Sequence, residues 1–484
     1  MAGAGAGGDS AGGEGWDPLV AEIAAYVTAP LALDEAARAA ARLSLLDSLG
    51  VACLGARHPD CAPLLGPLSS PPDPEGGTPI PGTAHRAGLL DAAFGISAAI
   101  RWLDFNDTWL AAEWSHPSDN LGAILAVSDQ LSRRRRMAGR SSLRVGELLE
   151  PICKAYEIQG VLATASCLHD RGLDHVLLVE VASAAVGAWL LGGAEEQVRA
   201  AISNALADAS TLRVYRHHPV VSWRKSWAAA EAVQRALRFA LLALRGDRGC
   251  PRVISAPTWG LNAVLGEEAV RLEGPLGAAV APQVLYKVPW PAEYHGQSAV
   301  EAAIRLRPAL AGRLGEVRKV EVRTQRSGAT ILDKSGPLLS AADRDHCLQY
   351  MVAAALVYGE LDYPTYEDQA AGNPELERIR QSTLVSEDPE YSRAYHDPDR
   401  RAVANSVAVE LVGGERLGPE VVWYPLGHPR RRPEALGPLR QKLTRNLGQA
   451  QLATERIGSL ERLFDDPERL DSLPVPDLLD QLSA

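Results

Sequence analysis

From Trp16 to about Arg245, apolar residues recur at helical spacing. Residues 34–55 are Ala/Leu-rich, opened by Asp34 and closed by glycine, which predicts a helix: aspartate accepts from first-turn N–H groups, and glycine suits the exit. The same style predicts helices at 88–103, 120–132, 145–167, 175–191 and 195–209, and a long amphipathic one at 225–245. Four successive arginines open residues 133–140, which predicts a solvated basic connection.

After Cys250 the period changes. VRKVEVR (317–323) and VANSVAVELV (403–412) alternate as strands do, with helices predicted at 297–310 and 343–357. A polar stretch rich in Pro, Asp and Tyr fills 362–401. From Pro429 the helical pattern returns at 436–447, 452–464 and 475–482. The expectation is a mainly α protein with a smaller α+β domain, inserted if the last helices pack back on the first.

Composition narrows the function classes. Of 484 residues 46% are apolar and 23% charged, the balance of a soluble globular protein, and with only four Phe the core must be aliphatic. A formal net charge of −11 supplies no basic field for nucleic acid, although a few local cations can still hold a small anion. The six cysteines include no C-x-x-C pair, which weighs against a disulfide framework and an iron–sulfur cluster and suits reduced thiols in the cytoplasm. Residues 1–15, mostly Gly and Ala, have no basic start and apolar run, so a disordered tail is expected there. No apolar run is long enough to span a membrane.

Candidate chemistry falls in three stretches. RWLDFNDTWLAAEWSHPSDN (101–120) supplies Asp104, Asp107, Thr108, Glu113, His116, Ser118 and Asp119 after an apolar helix, the acid, base and hydroxyl groups of a catalytic platform. Some of these have a structural reading: Ser118 or Asp119 as a cap for the next helix, Asp104 as the end of the previous one. His116, its exit fixed by Pro117, is the stronger functional candidate. LYKVPWPAEYHGQ (285–297) is stiffened by two prolines and presents Lys287, Glu293 and His295 just before a helix, where free N–H groups favour anions; the competing reading is a plain linker. In residues 324–345, Arg326 and Lys334 flank a turn containing Gly328, which a charged hairpin loop explains equally well. His175 follows Asp174 at a helix start, either as a cap or as a site residue, and RVYRHHPVVSWRK (213–225) adds further histidines and cations. Dinucleotide, phosphate-loop, H-E-x-x-H and G-x-S-x-G motifs are missing.

Several of these segments resemble the MmgE/PrpD family, which holds 2-methylcitrate dehydratases, cis-aconitate decarboxylases and an iminodisuccinate epimerase. They are LDFNDTWLAAEWSHPSDNLGAILA (103–126), KAYEIQG (154–160), GLDHVLLVEVAS (172–183), RKSWAA (224–229), KVPWPAEYHGQSAVEAA (287–303) and DKSGPLLSAADRDHCLQYMVA (333–353). The resemblance implies an all-helical domain at 16–280 and 429–484, an inserted α+β lid at 281–428, a homodimer, and a site between the domains. Positions important in the decarboxylase branch match Asp104, Thr108, His116, His175 and Lys287. The P-A-E-aromatic-H pattern, with Glu293 and His295, favours the dehydratase branch. The implied activity is cofactor-independent and metal-independent dehydration of 2-methylcitrate or citrate, in propionate catabolism. Asp104, His116 and Lys287 would do the chemistry, while Thr108, His175, Lys225, Glu293, His295 and Lys334 hold the tricarboxylate. Decarboxylation of cis-aconitate, or carboxylate binding without turnover, are the alternatives.

Overall fold

The computed structural model describes residues 15–68, 76–209, 211–216 and 221–483. The expected disordered tail therefore lies outside the described residues except for Gly15, as do His217 and His218. The chain is mainly helical. Eight principal helices come first: α1 (Pro18–Thr28), α2 (Glu35–Gly55), α3 (Leu89–Arg101), α4 (Leu121–Met137), α5 (Leu149–Ala165), α6 (Val176–Leu190), α7 (Glu195–Ala207) and α8 (Arg224–Leu244). Asp34 caps α2, accepting from the Ala37 N–H at 2.8 Å. Small residues let the helices touch: a Cβ on Gly122, in the first turn of α4, would meet Ser97 Oγ of α3 at 2.1 Å.

One expectation fails in α4. The helix runs on through Arg133–Arg136 to Met137. Arg133 reaches Asp129 and Asp480, both at 2.8 Å, and Arg136 reaches Asp477 at 2.7 Å. Arginine is a good helix former, and the acids on the last helix give these charges partners, so the segment is an inter-helix clasp and not a solvated loop.

The first strands are two short hairpins, β1 (Thr78–Pro79) with β2 (Arg86–Ala87) and β3 (Trp109–Leu110) with β4 (Trp114–Ser115). A four-stranded sheet follows, in the order β6 (Thr383–Glu387), β5 (Val317–Thr324), β7 (Asn405–Leu411), β8 (Arg416–Val422). β5 pairs parallel with β6 and antiparallel with β7, which pairs antiparallel with β8. The helices Gln297–Leu306 and Leu348–Tyr358 share an apolar core with Val320, Val322, Val407 and Val409 of the sheet. β6 and β8 were not anticipated: both are edge strands, largely exposed, so neither carries an apolar run. The turn expected around Gly328 is instead the helix Arg326–Leu332. The helix expected from 343 begins at Leu348, after a separate turn Ala341–Arg344 capped by Ser340. That break sets Asp345 and His346 on a corner beside the site.

From Arg432 four helices return to the first ones. One apolar cluster runs from Val20 through Val288 and on to Leu482, and a second from Ala292 to Val422. The change of core thus falls around Pro289–Trp290. Among the described residues no helix is long and apolar enough to cross a membrane.

Candidate active site

The site is built where α3 ends. Asp104 has a left-handed backbone, φ 49°, which turns the chain sharply after Arg101. Four residues on, Thr108 pairs with Leu285 through reciprocal backbone bonds of 2.8 and 2.9 Å, so the proline-braced segment runs alongside. This pairing delivers Lys287 to Asp104, its Nζ lying 2.8 Å from Oδ1 and donating to the Asp104 carbonyl at 2.6 Å. Arg101 donates to the same Oδ1. Burial alone would raise the Asp104 carboxyl, but Arg101 and Lys287 hold it well below its usual range. Lys287 is completely buried.

His116 follows β4. Its Nδ1 is 2.7 Å from the Asp107 carbonyl, and its Nε2 is 3.0 Å from an Arg101 Nη. A carbonyl only accepts and a guanidinium only donates. The ring is therefore neutral, with its proton on Nδ1 and its lone pair on Nε2. Burial, then the charges of Arg101 and Lys287, keep its pKa well below the ordinary histidine value. Asp104 lies 3.9 Å from Nε2, so the Asp107 carbonyl and Arg101, not Asp104, orient this ring. Asp107 is fixed in turn by the Ser118 N–H at 3.0 Å and hydroxyl at 2.6 Å, and burial pushes its carboxyl up to about 6.

Neither Ser118 nor Asp119 caps α4: Ser118 is spent on Asp107, and Asp119 accepts from Asn106 Nδ2 at 3.3 Å. Nor does His175 cap α6. Its Nδ1 lies 2.8 Å from Asp174 Oδ1, and the other oxygen of Asp174 is 2.5 Å from Arg216 Nε. Burial opposes ionisation of Asp174, but Arg216 and His175 keep its pKa well below the usual range. The His116 and His175 ring centroids are 5.7 Å apart.

Between them opens a cavity of about 300 Å³. Asp104, Thr108, His116, His175, Glu293 and Lys334 line it, the last two from the sheet-bearing part. The other three expected residues stand behind the wall. Lys287 is spent on Asp104. Lys225 is held by Asp345 at 2.7 and 2.9 Å and by the Ala342 carbonyl at 3.0 Å. His295 contacts Glu293 through Nδ1 at 2.9 Å and the Tyr395 hydroxyl through Nε2 at 3.1 Å. Lys225 and His295 are thus engaged with Asp345 and Glu293 and do not line this cavity.

Sequence reasoning assigned no role to Arg101, Arg213, Arg216 and His346, which also face the cavity. Arg216 Nη2 and His175 Nε2 are buried and, among the described residues, have no hydrogen-bond partner. The unpaired Arg216 N–H is a place for a ligand's carboxylate oxygen, and His175 Nε2 is left free at the same cavity. Leu110 and Trp114, paired across the β3–β4 hairpin, supply an apolar face with Ile331. Among the described residues, one trio could chelate a metal: Glu113, Cys167 and His169. There Glu113 Oε2 already accepts from the Leu168 and His169 N–H groups at 2.7 and 2.9 Å, and burial pushes the Cys167 thiol up to about 11. Larger hollows of about 360 and 670 Å³ lie elsewhere, but only the smaller cavity brings His116, His175 and Asp104 together.

Two family models match the chain, the MmgE/PrpD N-terminal domain over residues 21–272 and the MmgE/PrpD C-terminal domain over 290–466. The chain is 43% identical over 472 residues to 2-methylcitrate dehydratase of Salmonella typhi, covering 96% of this chain and 97% of that protein. It is 42% identical over 469 residues to the enzyme of that name from Escherichia coli strain K12, covering 96% and 97%. With the mitochondrial 2-methylcitrate dehydratase of Yarrowia lipolytica it shares 42% over 437 residues, 89% of this chain and 84% of that one.

Proposed function

The chain belongs to the MmgE/PrpD family, and on that premise we propose that it is a hydro-lyase that dehydrates 2-methylcitrate. The carrying observation is a neutral His116 facing the Asp174-bound His175 across an arginine-lined cavity.

Dehydration removes a hydrogen beside a carboxylate and expels hydroxide. The hydrogen is weakly acidic, because charge builds next to an existing anion, so cations must sit at that carboxylate. Arg101, Arg213, Arg216 and Lys334 are available for the three carboxylates. Once a substrate carboxylate draws Arg101 off it, the His116 Nε2 lone pair takes the proton; the C–H electrons become the double bond. The C–O electrons leave with the hydroxyl, which His175 protonates to water, its imidazolium supported by the ionised Asp174. Exchange with water then resets both rings. Asp104, pinned by Arg101 and Lys287, offsets the cations around His116. The Leu110–Trp114–Ile331 face leaves an apolar place for the methyl branch.

The sheet-bearing part acts, in this reading, as a lid inserted into the helical body, beginning near 289 and ending before the helix Arg432–Gln449. Each part has its own apolar core, and each contributes cavity residues. A cytoplasmic homodimer completes the proposal.

The test is purified protein on 2-methylcitrate, citrate and cis-aconitate, following absorbance of the unsaturated product and release of carbon dioxide. Product from 2-methylcitrate without carbon dioxide is expected; carbon dioxide from cis-aconitate would make it a decarboxylase. Activity should persist after EDTA treatment, because the Glu113–Cys167–His169 trio does not include His116 and its Glu113 Oε2 is already taken by two N–H groups. Loss restored by an added metal refutes that. Arg216→Met should raise KM about ten- to a hundredfold, the scale of a charge-assisted bond. An unchanged KM removes Arg216 from the carboxylate site.

A further inference from the structure

We propose that Lys442, on the returning helix Arg432–Gln449, is a positioning residue that holds the Asp104 and Lys287 segments in register. The inference deepens the reading above and rests on it where turnover is concerned.

Lys442 enters from the far end of the sequence and is almost fully buried. Its Nζ donates to the Phe105 carbonyl at 2.7 Å and to the Lys287 carbonyl at 2.7 Å. It also lies 2.8 Å from Asp47 Oδ1 on α2, and 3.9 Å over the Phe105 ring. An ammonium has three hydrogens and meets three acceptors here. Two of them are main-chain oxygens of the segments that carry the Asp104–Lys287 pair: Phe105 directly follows Asp104, and the other carbonyl is that of Lys287. On the other side these same segments are joined by the Thr108–Leu285 backbone bonds. The two clamps together define where the Lys287 ammonium meets the Asp104 carboxylate. Without Lys442, two buried carbonyls lose their donor, and the Lys287–Asp104 contacts are left with the Thr108–Leu285 clamp on one side alone. Asp47 belongs to the device as the counter-charge of a buried ammonium.

The single variant Lys442→Met strands Asp47 as an unpaired buried charge and can fail to fold. The double variant Asp47→Leu/Lys442→Met removes both charges and keeps the volume, so it is the working test. In the variant that melts cooperatively, kcat should fall about ten- to a hundredfold with KM little changed, the effect of a small displacement of reacting groups. The limbs of the kcat/KM pH profile should move as well. A purely structural lysine lowers only the melting temperature and leaves kcat and profile of the folded protein as they were; that result overturns the proposal. A second readout needs no turnover. Acetic anhydride labelling read by mass spectrometry should find Lys287 protected in the wild type and labelled in the variant, with the buried Lys154 protected in both. Equal labelling of Lys287 in both proteins, or Lys287 and Lys154 rising together, overturns the positioning role. Wild-type protein inactive on all three acids would count against the functional reading alone, and the labelling result would then decide Lys442.

Discussion

His116→Gln should lower kcat by about two to four orders of magnitude, the usual scale for a lost general base, at a nearly unchanged melting temperature. Glutamine is similar in size and its amide can still donate to the Asp107 carbonyl, which His116 Nδ1 now meets at 2.7 Å. What it lacks is a basic lone pair where Nε2 sits. The pH profile makes the test sharper. A base works unprotonated, and the His116 pKa lies well below the ordinary value of about 6.5, so wild-type kcat/KM should hold as pH falls through that value and drop only below it. The variant should lose that acid limb. Near-normal turnover in a protein whose melting temperature has fallen steeply would make His116 a structural histidine.

How far this site was legible in the sequence depends on what each residue's neighbours are. Asp104 and His116 stood out because residues 101–120 concentrate polar groups between apolar helices, where a packed protein has little reason to bury them. Arg101 did not, because a lone charge at a helix end reads as a solvated terminus, yet here it is nearly fully buried and touches both residues. Family patterns single out Lys225 and His295, but pattern cannot separate cavity wall from support. The difference is set by Asp345 and Tyr395, which are 120 and 100 residues away in sequence. Strands β5 and β7 announced themselves because the sheet's core depends on their apolar faces, whereas edge strands β6 and β8 bury little. The arginines at the end of α4 misled because their acidic partners lie at the chain's other end.

Lys287→Met should cut kcat by about a hundredfold or more and shift the acid limb upward, whereas Asp104→Asn should cut kcat and shift it downward. The signs follow from the charges around His116. Lys287 is one of the cations that depress its pKa, so removing it lets His116 titrate closer to the ordinary histidine value. Asp104 is the anion that opposes them, and neutralising it leaves Arg101 and Lys287 unbalanced beside the ring. Stability separates the two further. Methionine at 287 takes away the hydrogen bond to the Asp104 carbonyl, 2.6 Å long, at a residue whose left-handed backbone depends on such ties. Breaking a buried pair costs about 3–5 kcal/mol, and Arg101, still bonded to the carboxylate, should keep the loss toward the low end. Asparagine at 104 preserves shape and the backbone bond, so its melting temperature should fall less than its activity. Both variants need a full kcat/KM profile beside a thermal melt. Limbs that move the same way in both, or not at all, would place Lys287 and Asp104 outside the electrostatic control of His116 and leave them as fold-holding residues.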